Sequence, residues 1–266
     1  MDDRLYFRQL LSGRDFATGD LIARQMVNFA YLLGDRQTGE AVIVDPAYDV
    51  DGLLAVLEAD GMTPVGVLGT HYHADHIGGN MMGYDLEGVA ALLERFDIPV
   101  HLQAPEVEFV TKTTGLGPDQ LVGHASGDVV TVGGVDIELI HTPGHTPGSQ
   151  CFLVEDRLVA GDTLFLEGCG RTDLPGGSAE AQYQSLLKLK SLGDDIRVYP
   201  GHDYREAVST LGDEKQKNAR MLIPTREEFV HFMTSRKPPL PRKIQEALEW
   251  NRTPIQGTQR GMGEGI

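Results

Sequence analysis

One seven-residue segment, THYHADH at positions 70–76, carries three histidines and one aspartate directly after an apolar stretch, VGVL. Imidazole nitrogens and carboxylate oxygens are ligands that zinc, iron and manganese accept in proteins. Side chains two residues apart leave a strand on the same side, so His71 and His73 can point at one ion from a strand end. Asp75 and His76 lie on the following turn, within reach of a second position. The segment therefore predicts a metal site at a strand end and leaves open whether it holds one ion or two.

Three more segments place a candidate ligand in a loop after a strand-like sequence. The loop TPGHTPG at 142–148 follows an alternating pattern, VDIELI, and its prolines and glycines predict a rigid turn that presents His145. The apolar run LVAGD ends in Asp162, and VYPGH ends in His202. A solvated patch of histidines does not require ligands at four separate strand ends, so the pattern favours a metal site.

The ligand order HxHxDH, then His, then Asp, then His resembles the metallo-β-lactamase superfamily, and the resemblance runs over most of the chain. It implies an α/β protein with the αββα four-layer sandwich of that superfamily. By the same resemblance the metal ligands form two groups of three with one bridging carboxylate: His71, His73 and His145; Asp75, His76 and His202; and Asp162 between them. Asp75 and Asp162 are also the expected catalytic carboxylates. Seven ligating groups exceed the four that close a structural site, which favours an enzyme over a non-catalytic metal-binding module.

Asp45 ends another apolar run, AVIVD, and is a candidate partner for one of the ligand histidines. A carboxylate beside a metal-binding imidazole holds the ring in the tautomer that leaves the other nitrogen free for the metal. A purely structural role explains Asp45 equally well from the sequence.

Hydrophobic patterning predicts the elements that carry these loops. The predicted strands are 25–33, 40–45, 65–68, 99–102, 129–132, 135–140 and 197–200, the last of these being the final strand. The predicted helices are 50–59, 86–96 and 179–192. We interpret residues 1–212 as one catalytic domain and 213–256 as a C-terminal extension of two or three short helices, interrupted at Pro224 and at 238–241. Residues 257–266 are predicted to form a flexible tail.

Composition limits the partners that this chain can have. Its 39 acidic and 23 basic residues give a formal net charge of −16, and nucleic-acid binding usually calls for a basic surface, so a nucleic-acid partner is not expected. No apolar stretch approaches the ~20 residues that span a bilayer, and the first residues do not begin a signal peptide, so no membrane partner and a cytoplasmic location are predicted. The family resemblance implies a small-molecule thiol conjugate as the partner. The oligomeric state is left open, a homodimer included.

The main functional prediction is a metal-dependent hydrolase resembling glyoxalase II. In that branch a hydroxide held by two metals attacks the acyl carbon of a small thioester. The sequences IGGN at 77–80 and GDTLF at 161–165 resemble it. The expected cofactor is two zinc ions, or a mixture of zinc, iron and manganese.

The alternative prediction is a persulfide dioxygenase that oxidises glutathione persulfide, or a similar thiol persulfide, to sulfite. In that branch a single Fe(II) is bound by the residues matching His71, His145 and Asp162, with open positions for substrate and dioxygen. The sequences GCGRTD at 168–173, YPGHDY at 199–204 and NAR at 218–220 resemble it. By this resemblance the glutathione portion of the substrate is held by Arg171, Tyr204 and Arg220.

Some features have more than one interpretation. Arg171 can bind a substrate carboxylate or pair with a nearby aspartate. Cys169 can contact substrate, but its flanking glycines favour a tight turn. Gly78 and Gly201 depart from the persulfide dioxygenase pattern, which has threonine and alanine there. Between His76 and His145 lie 68 residues, more than either branch usually has. The surplus lies around 81–121, and its loop GLGP at 115–118 is predicted to shape the substrate pocket.

Overall fold

The computed structural model describes residues 4–81 and 83–235. Its first sheet has six strands, which lie side by side in this order: β1 (Leu5–Leu11), β2 (Phe29–Asp35), β3 (Glu40–Val44), β4 (Thr63–Leu68), β7 (Val100–Gln103) and β8 (Leu121–His124). Between β4 and β7 the chain forms a small hairpin from β5 (Gly79–Met81) and β6 (Tyr84–Leu86). The parallel neighbours β3 and β4 bring Asp45 and the THYHADH segment to the same edge of this sheet.

The second sheet also has six strands. Their order across the sheet is β16 (Ser209–Thr210), β15 (Arg197–Pro200), β12 (Arg157–Gly161), β11 (Gln150–Val154), β10 (Val135–His141) and β9 (Val129–Val132). A second small hairpin pairs β13 (Leu164–Phe165) with β14 (Gly168–Cys169). Strands β12 and β15 are parallel, so the residues that follow them, Asp162 and His202, also emerge at one edge.

Eight α-helices surround the two sheets in the described part of the chain. They are α1 (Leu21–Met26), α2 (Val50–Ala59), α3 (Ala74–Ile77), α4 (Val89–Leu93), α5 (Val107–Thr114), α6 (Ala179–Lys190), α7 (Leu211–Lys217) and α8 (Arg226–Ser235). None of these helices is long and apolar enough to cross a bilayer.

Side chains that alternate along the central strands fill two different layers of the core. In β2, Phe29, Tyr31 and Leu33 pack between the two sheets, whereas Ala30 and Leu32 pack on the opposite face beneath α2. A third cluster lies between the second sheet and helices α6 and α8. Burial on both faces explains why the strands are continuous apolar runs. The layers are helix, sheet, sheet and helix, so the predicted αββα sandwich is confirmed.

The strand predicted at 25–33 is wrong in its first part. Residues Leu21–Met26 form α1, because the Asp20 side chain accepts hydrogen bonds from the backbone N–H groups of Ile22 and Ala23 and caps the helix. The chain then turns at Val27, whose φ is 51°, and β2 begins at Phe29. The capping aspartate, which the apolar pattern does not register, therefore decides the conformation of this segment.

The helix predicted at 86–96 is shorter than expected. Leu86 instead ends β6, and only Val89–Leu93 is helical. Gly88 precedes this helix and lies against the backbone of Gly78, where a Cβ on Gly88 would lie 2.7 Å from the Gly78 Cα. Gly88 is thus the N-cap of the helix at a point where its backbone closely approaches that of Gly78.

Residues 197–200 do not form the final strand, because β16 follows and pairs with β15 in antiparallel fashion. Helix α7 runs across the predicted domain boundary at 212, and that boundary stays a prediction. Helix α8 begins shortly after Pro224, as expected for a chain interrupted there. The remainder of the predicted extension, 236–256 with its proline-rich stretch 238–241, and the predicted tail 257–266 lie outside the described residues.

Candidate metal centre

The candidate ligands come together at one edge of the sandwich, from both sheets. The THYHADH segment follows β4 of the first sheet, and the loop 142–149 joins β10 to β11 in the second. Asp162 and His202 follow β12 and β15 of the second sheet. A site built in this way depends on the packing of the two sheets against each other.

The first ligand group consists of His71, His73 and His145. The Nδ1 atom of His73 lies 3.0 Å from the Nε2 atom of His71 and 3.0 Å from the Nε2 atom of His145. Nitrogens that ligate one metal at about 2.1 Å with near-right angles stand about 3 Å apart. The spacing of the first ligand group therefore fits one shared metal ion.

The second ligand group consists of Asp75, His76 and His202. The Nε2 atoms of His76 and His202 are 3.3 Å apart. Oδ2 of Asp75 lies 3.7 Å from the first of these nitrogens and 3.6 Å from the second. These atoms converge on a second position, although less closely than those of the first ligand group.

Asp162 lies between the two ligand groups. Its Oδ1 atom is 3.4 Å from Nε2 of His76, and its Oδ2 atom is 3.5 Å from Nε2 of His145 and 3.4 Å from Nε2 of His202. Within the described residues, Oδ1 is buried and has no hydrogen-bond partner. A buried carboxylate oxygen without a donor is costly, and a bound cation satisfies it. The donor set and this oxygen together fit a metal ion.

Hydrogen bonds on the far ring nitrogens orient the ligand histidines. Nδ1 of His76 lies 2.8 Å from Asp45 Oδ2. Nδ1 of His71 lies 2.9 Å from the Thr70 hydroxyl, which donates to the same carboxylate at 2.6 Å. When these rings are neutral, the contacts hold the proton on Nδ1, so that Nε2 is the nitrogen presented to a metal. Asp45 thus supports a histidine from each ligand group.

Backbone carbonyls orient two more ligand histidines. Nδ1 of His145 donates to the carbonyl of Arg171 at 2.7 Å, and Nδ1 of His202 donates to the carbonyl of Met26 at 2.9 Å. Both rings therefore present Nε2 to the centre. His73 differs, since it presents Nδ1.

Burial and charge set the protonation of the two ligand groups in the metal-free protein. Burial lowers the pKa of each histidine in the first ligand group, that of His73 to about 3. Burial acts in the same direction on His76 and His202, but the surrounding carboxylates, Asp162 foremost and Asp75 with it, together outweigh burial and raise the pKa of both. The first ligand group is thus neutral and ready to bind a cation at neutral pH, whereas metal binding at the second must displace protons.

Two of the four predicted substrate residues lie beside the centre. The Tyr204 ring stacks on His202 with centroids 4.8 Å apart and an interplanar angle of 4°, and Tyr204 is 45% exposed. Arg171 holds His145 through its carbonyl, and its guanidinium makes two bonds of 2.7 Å to Asp173. The sequence left open whether Arg171 binds a substrate carboxylate or pairs with a nearby aspartate, and in the structure its guanidinium pairs with Asp173.

The other two predicted substrate residues make no described contact with a ligand side chain. The Arg220 guanidinium lies over the Phe232 ring, 4.1 Å from its centroid. Cys169 is half-buried in β14, and burial raises the pKa of its thiol to about 12. A thiol with that pKa stays protonated at neutral pH and is a poor nucleophile.

Two functional residues at the centre carry no sequence signal of their own. The Asn28 amide donates to the Asp75 carbonyl at 2.9 Å and to Asp75 Oδ2 at 3.2 Å, and the Tyr48 hydroxyl donates to the Asn28 oxygen at 3.0 Å. Glu106 accepts hydrogen bonds from both histidine loops of the first ligand group. Asn28 precedes β2 and Glu106 precedes α5, and only the tertiary fold brings them here.

The segment 81–121 contacts the first ligand group through aromatic rings. Phe109 of α5 stacks on Tyr72 with centroids 4.9 Å apart, and Tyr72 in turn lies against His73 at 4.6 Å. Gly78 is part of the same arrangement, because a Cβ there would lie 2.7 Å from Gly88 Cα. The glycine that departs from the persulfide dioxygenase pattern is therefore explained by packing against this segment.

Comparison with known proteins identifies the family. A model of the metallo-beta-lactamase superfamily matches residues 24–202. The mitochondrial persulfide dioxygenase ETHE1 of Homo sapiens is 33% identical over 255 residues, which cover 92% of each chain. A probable zinc-dependent hydrolase of polyketide biosynthesis, BaeB of Bacillus velezensis, is 31% identical over 77% of this chain and 86% of its own.

A solved structure agrees with these sequence matches. The crystal structure of ETHE1 from Myxococcus xanthus is 34% identical, with a TM-score of 0.72 over 93% of this chain and 98% of that one. The predicted resemblance is confirmed over nearly the whole chain. The four-layer fold, the two-sheet origin of the ligands and these matches together place the chain in the metallo-β-lactamase superfamily, as a metal-dependent enzyme.

Proposed function

We propose that this enzyme is a mononuclear iron persulfide dioxygenase. The observation that carries the proposal is the similarity to the human persulfide dioxygenase, which covers 92% of this chain and so necessarily reaches past residue 212. The hydrolase BaeB covers 77%. These matches favour the alternative prediction over the thioester hydrolase that we took from the sequence as the main one.

The iron would be held by His71, His145 and Asp162. Nε2 of His145 lies 3.5 Å from Asp162 Oδ2, and His71 and Asp162 belong to one set of groups whose ligand atoms all lie within 4.8 Å. Bound there, ferrous iron would supply redox chemistry and open coordination positions for a sulfur and for dioxygen. The neutral imidazoles and the ionised carboxylate are already in the protonation states that such a cation needs.

The reaction consumes one persulfide (RSSH), one dioxygen and one water, and it yields one thiol (RSH), one sulfite and two protons. The two sulfurs of the persulfide together lose four electrons, which dioxygen takes up, and the outer sulfur becomes the sulfur of sulfite. The chain's own part is to hold the substrate, to keep the histidine tautomers fixed through Asp45 and Thr70, and to limit water. The rings of Tyr72, Phe165 and Tyr204 beside the ligands support this last role.

The substrate is proposed to be a small thiol persulfide whose thiol portion reaches toward Arg171, Tyr204 and Arg220. Tyr204 is the best placed of the three, since it stacks on His202 and is exposed. For Arg171 to bind a carboxylate of the substrate, its bonds to Asp173 must open. Cys169, with its protonated thiol, is proposed to contact the substrate only by packing.

Metal content and oxygen uptake test this function together. Anaerobically purified protein is analysed for metal and then supplied with glutathione persulfide and dioxygen, with sulfite as the measured product. One iron per chain and equal amounts of oxygen consumed and sulfite formed are expected. Iron-loaded protein that consumes no oxygen with this substrate would overturn the proposal.

A thioester hydrolase remains the second candidate, because one observation favours it. The second ligand group is complete, with its own supporting contacts to Asp75 from Asn28 and to His76 from Asp45. A hydrolase of the glyoxalase II kind would use two metals there. Close to two zinc ions per chain, with turnover of an acyl-thiol and no oxygen uptake, would support this candidate instead.

The remaining expectations are proposals too. We propose a cytoplasmic protein that acts on a small-molecule thiol conjugate and binds neither nucleic acid nor membrane. The formal net charge of −16 supports the proposal that the protein does not bind nucleic acid.

A further inference from the structure

Glu106 is a fully buried carboxylate that is not a candidate metal ligand. Its exposed fraction is 0%, and it ends the short 3-10 turn 104–106 that follows β7. Burial raises the pKa of this carboxyl group, which is the expected effect of removing a charged form from water. A carboxylate in such a place is unfavourable unless its oxygens accept hydrogen bonds.

Three donors surround Glu106, and all three belong to the loops of the first ligand group. Oε1 accepts a bond from the Tyr72 backbone N–H at 2.8 Å and one from the Thr146 hydroxyl at 2.7 Å. Oε2 accepts a bond from the Gly148 backbone N–H at 2.5 Å. Tyr72 lies between His71 and His73, and Thr146 directly follows His145. One side chain therefore joins the two loops.

The two loops come from different sheets. The first follows β4, and the second joins β10 to β11. Their bases are linked by the backbone bond from Gln150 N–H to the Thr70 carbonyl, 2.9 Å long, whereas Glu106 bonds residues adjacent to the ligands themselves. A metal site tolerates errors of only about 0.2 Å in its ligand distances, so apolar packing of the sheets alone is a loose constraint.

We propose that Glu106 is a positioning residue that holds the two histidine loops at the spacing a metal ion requires in the first ligand group. Three hydrogen bonds to one carboxylate are short and directional, and charge makes them stronger than bonds between neutral groups. Across the two loops, His73 Nδ1 lies 3.0 Å from His145 Nε2, and Glu106 is proposed to set this spacing. The inference goes beyond the proposed reaction, since either candidate function needs an ion bound to His71 on one loop and to His145 on the other.

The residue type suits the role. A carboxylate offers two acceptor oxygens and no donor, and here Oε1 accepts from both loops while Oε2 accepts from the second loop. Glutamine has the same length, but its NH₂ group donates, so at least one of the three donors would face another donor. Glu106→Gln is therefore the sharpest single change, because it alters shape very little.

A second variant disrupts the contact between Glu106 and the second loop by a change in that loop, at Gly148. A Cβ on Gly148 would lie 2.5 Å from Glu106 Oε2 and 2.6 Å from its Cβ. It would also lie 2.7 Å from the Glu106 backbone nitrogen, so Gly148→Ala should displace Glu106 from the two loops while leaving its charge intact. It keeps the proposal testable if Glu106→Gln does not fold.

Glu214→Gln is the matched control. Glu214 is also buried, at 2% exposed, and accepts bonds from the Glu167 backbone N–H and the Asn218 amide, each at 2.8 Å. Its donors belong to neither histidine loop. A loss of stability that comes only from an unsatisfied buried donor should appear in this variant as well.

The experiment titrates each metal-free variant with Co(II) against a competing chelator and records its melting temperature in parallel. Glu106→Gln and Gly148→Ala are expected to weaken Co(II) binding by about 10- to 100-fold, the size found for lost partners of metal ligands. Glu214→Gln is expected to lower the melting temperature while its Co(II) affinity stays at the wild-type value.

Folded Glu106→Gln with wild-type affinity, or an equal loss of affinity in Glu214→Gln, would show that Glu106 has only a general structural role. Oxygen uptake is not a readout, so failure of the dioxygenase proposal does not affect this test.

Discussion

Asp162 connects the two ligand groups, since it lies within 3.5 Å of ring nitrogens from His76, His145 and His202. Although burial opposes its charge, His202 and His76 hold the pKa of this carboxyl well below its usual range. It is therefore ionised and carries the negative charge that balances a bound cation. The sequence predicted Asp162 at a strand end, because it follows the apolar run LVAG and the other candidate ligands also follow predicted strands.

We predict that Asp162→Ala abolishes activity, with a loss of at least about 100-fold, because removing a ligand also removes its charge. Metal content and oxygen uptake should fall together. Asp156→Ala is the control, since Asp156 precedes the same strand, β12, and pairs with Arg197. Full activity with metal retained in Asp162→Ala would refute the assigned site.

His76 separates the two candidate functions, because it belongs to the second ligand group and lies outside the proposed iron ligands. His76→Gln keeps a polar group beside Asp45, the partner of His76 Nδ1. A persulfide dioxygenase with this change should retain one iron per chain and measurable oxygen uptake. Loss of one of two metals, with loss of thioester hydrolysis, is the result expected from a two-metal hydrolase.

At the scale of the element, apolar periodicity located the strands and α2 well but not the short elements. Helix α2 has the predicted bounds, 50–59, since its buried face, Val50, Leu53 and Leu57, repeats at helical spacing. Helix α1 has only 6 residues and begins at a side-chain cap, and α4 begins where Gly88 closely approaches Gly78. Such determinants are local hydrogen bonds and tertiary contacts, to which a hydrophobic pattern is insensitive.

Phe152 of β11 tests the sheet-to-sheet packing. It is fully buried in the cluster between the sheets, so Phe152→Ala should lower the free energy of unfolding by about 3–5 kcal/mol. Leu187→Ala on α6, where the side chain is 40% exposed, should change it by less than about 0.5 kcal/mol. Denaturant titration of the metal-free proteins measures both. Equal effects would contradict the assigned packing.

At the scale of the whole molecule, the ligand order was enough to predict the superfamily, the sandwich and the clustering of all seven ligating side chains. The supporting contacts were not predictable, with the exception of Asp45 as a candidate. Asn28 and Glu106 lie 47 and 34 residues from the groups that they bind, Asp75 and Tyr72. Both contacts join segments that flank strands of the first sheet, and they form only when strands distant in sequence come together in it.

We predict that protonation of His101 contributes to the loss of stability of the fold in acid. Burial, followed by the neighbouring His124, lowers the pKa of His101 to about 4 from a usual 6.5. The unfolded chain therefore binds more protons than the folded one between these values, so stability is lost as the pH falls from about 6.5 to 4. His101→Gln, which does not titrate, should flatten this part of the profile. Urea unfolding of the metal-free wild type and variant at several pH values measures this effect. If the free energy of unfolding changed with pH equally in both proteins, His101 would not be the group responsible. His124 and Asp128, the other groups in this chain of contacts, remain in both proteins.

The origin of the ligands in two separate sheets has a consequence for the life of the protein in a cell. An ion bound to His71 and His73 from one sheet and to His145 and Asp162 from the other is a cross-link through the middle of the sandwich. Metal at 1,000 times its dissociation constant would add about 4 kcal/mol to the free energy of unfolding, a large share of what keeps a typical domain folded. Starvation for the metal would then reduce the amount of enzyme as well as its activity, because the empty chain unfolds more often and is exposed to proteolysis.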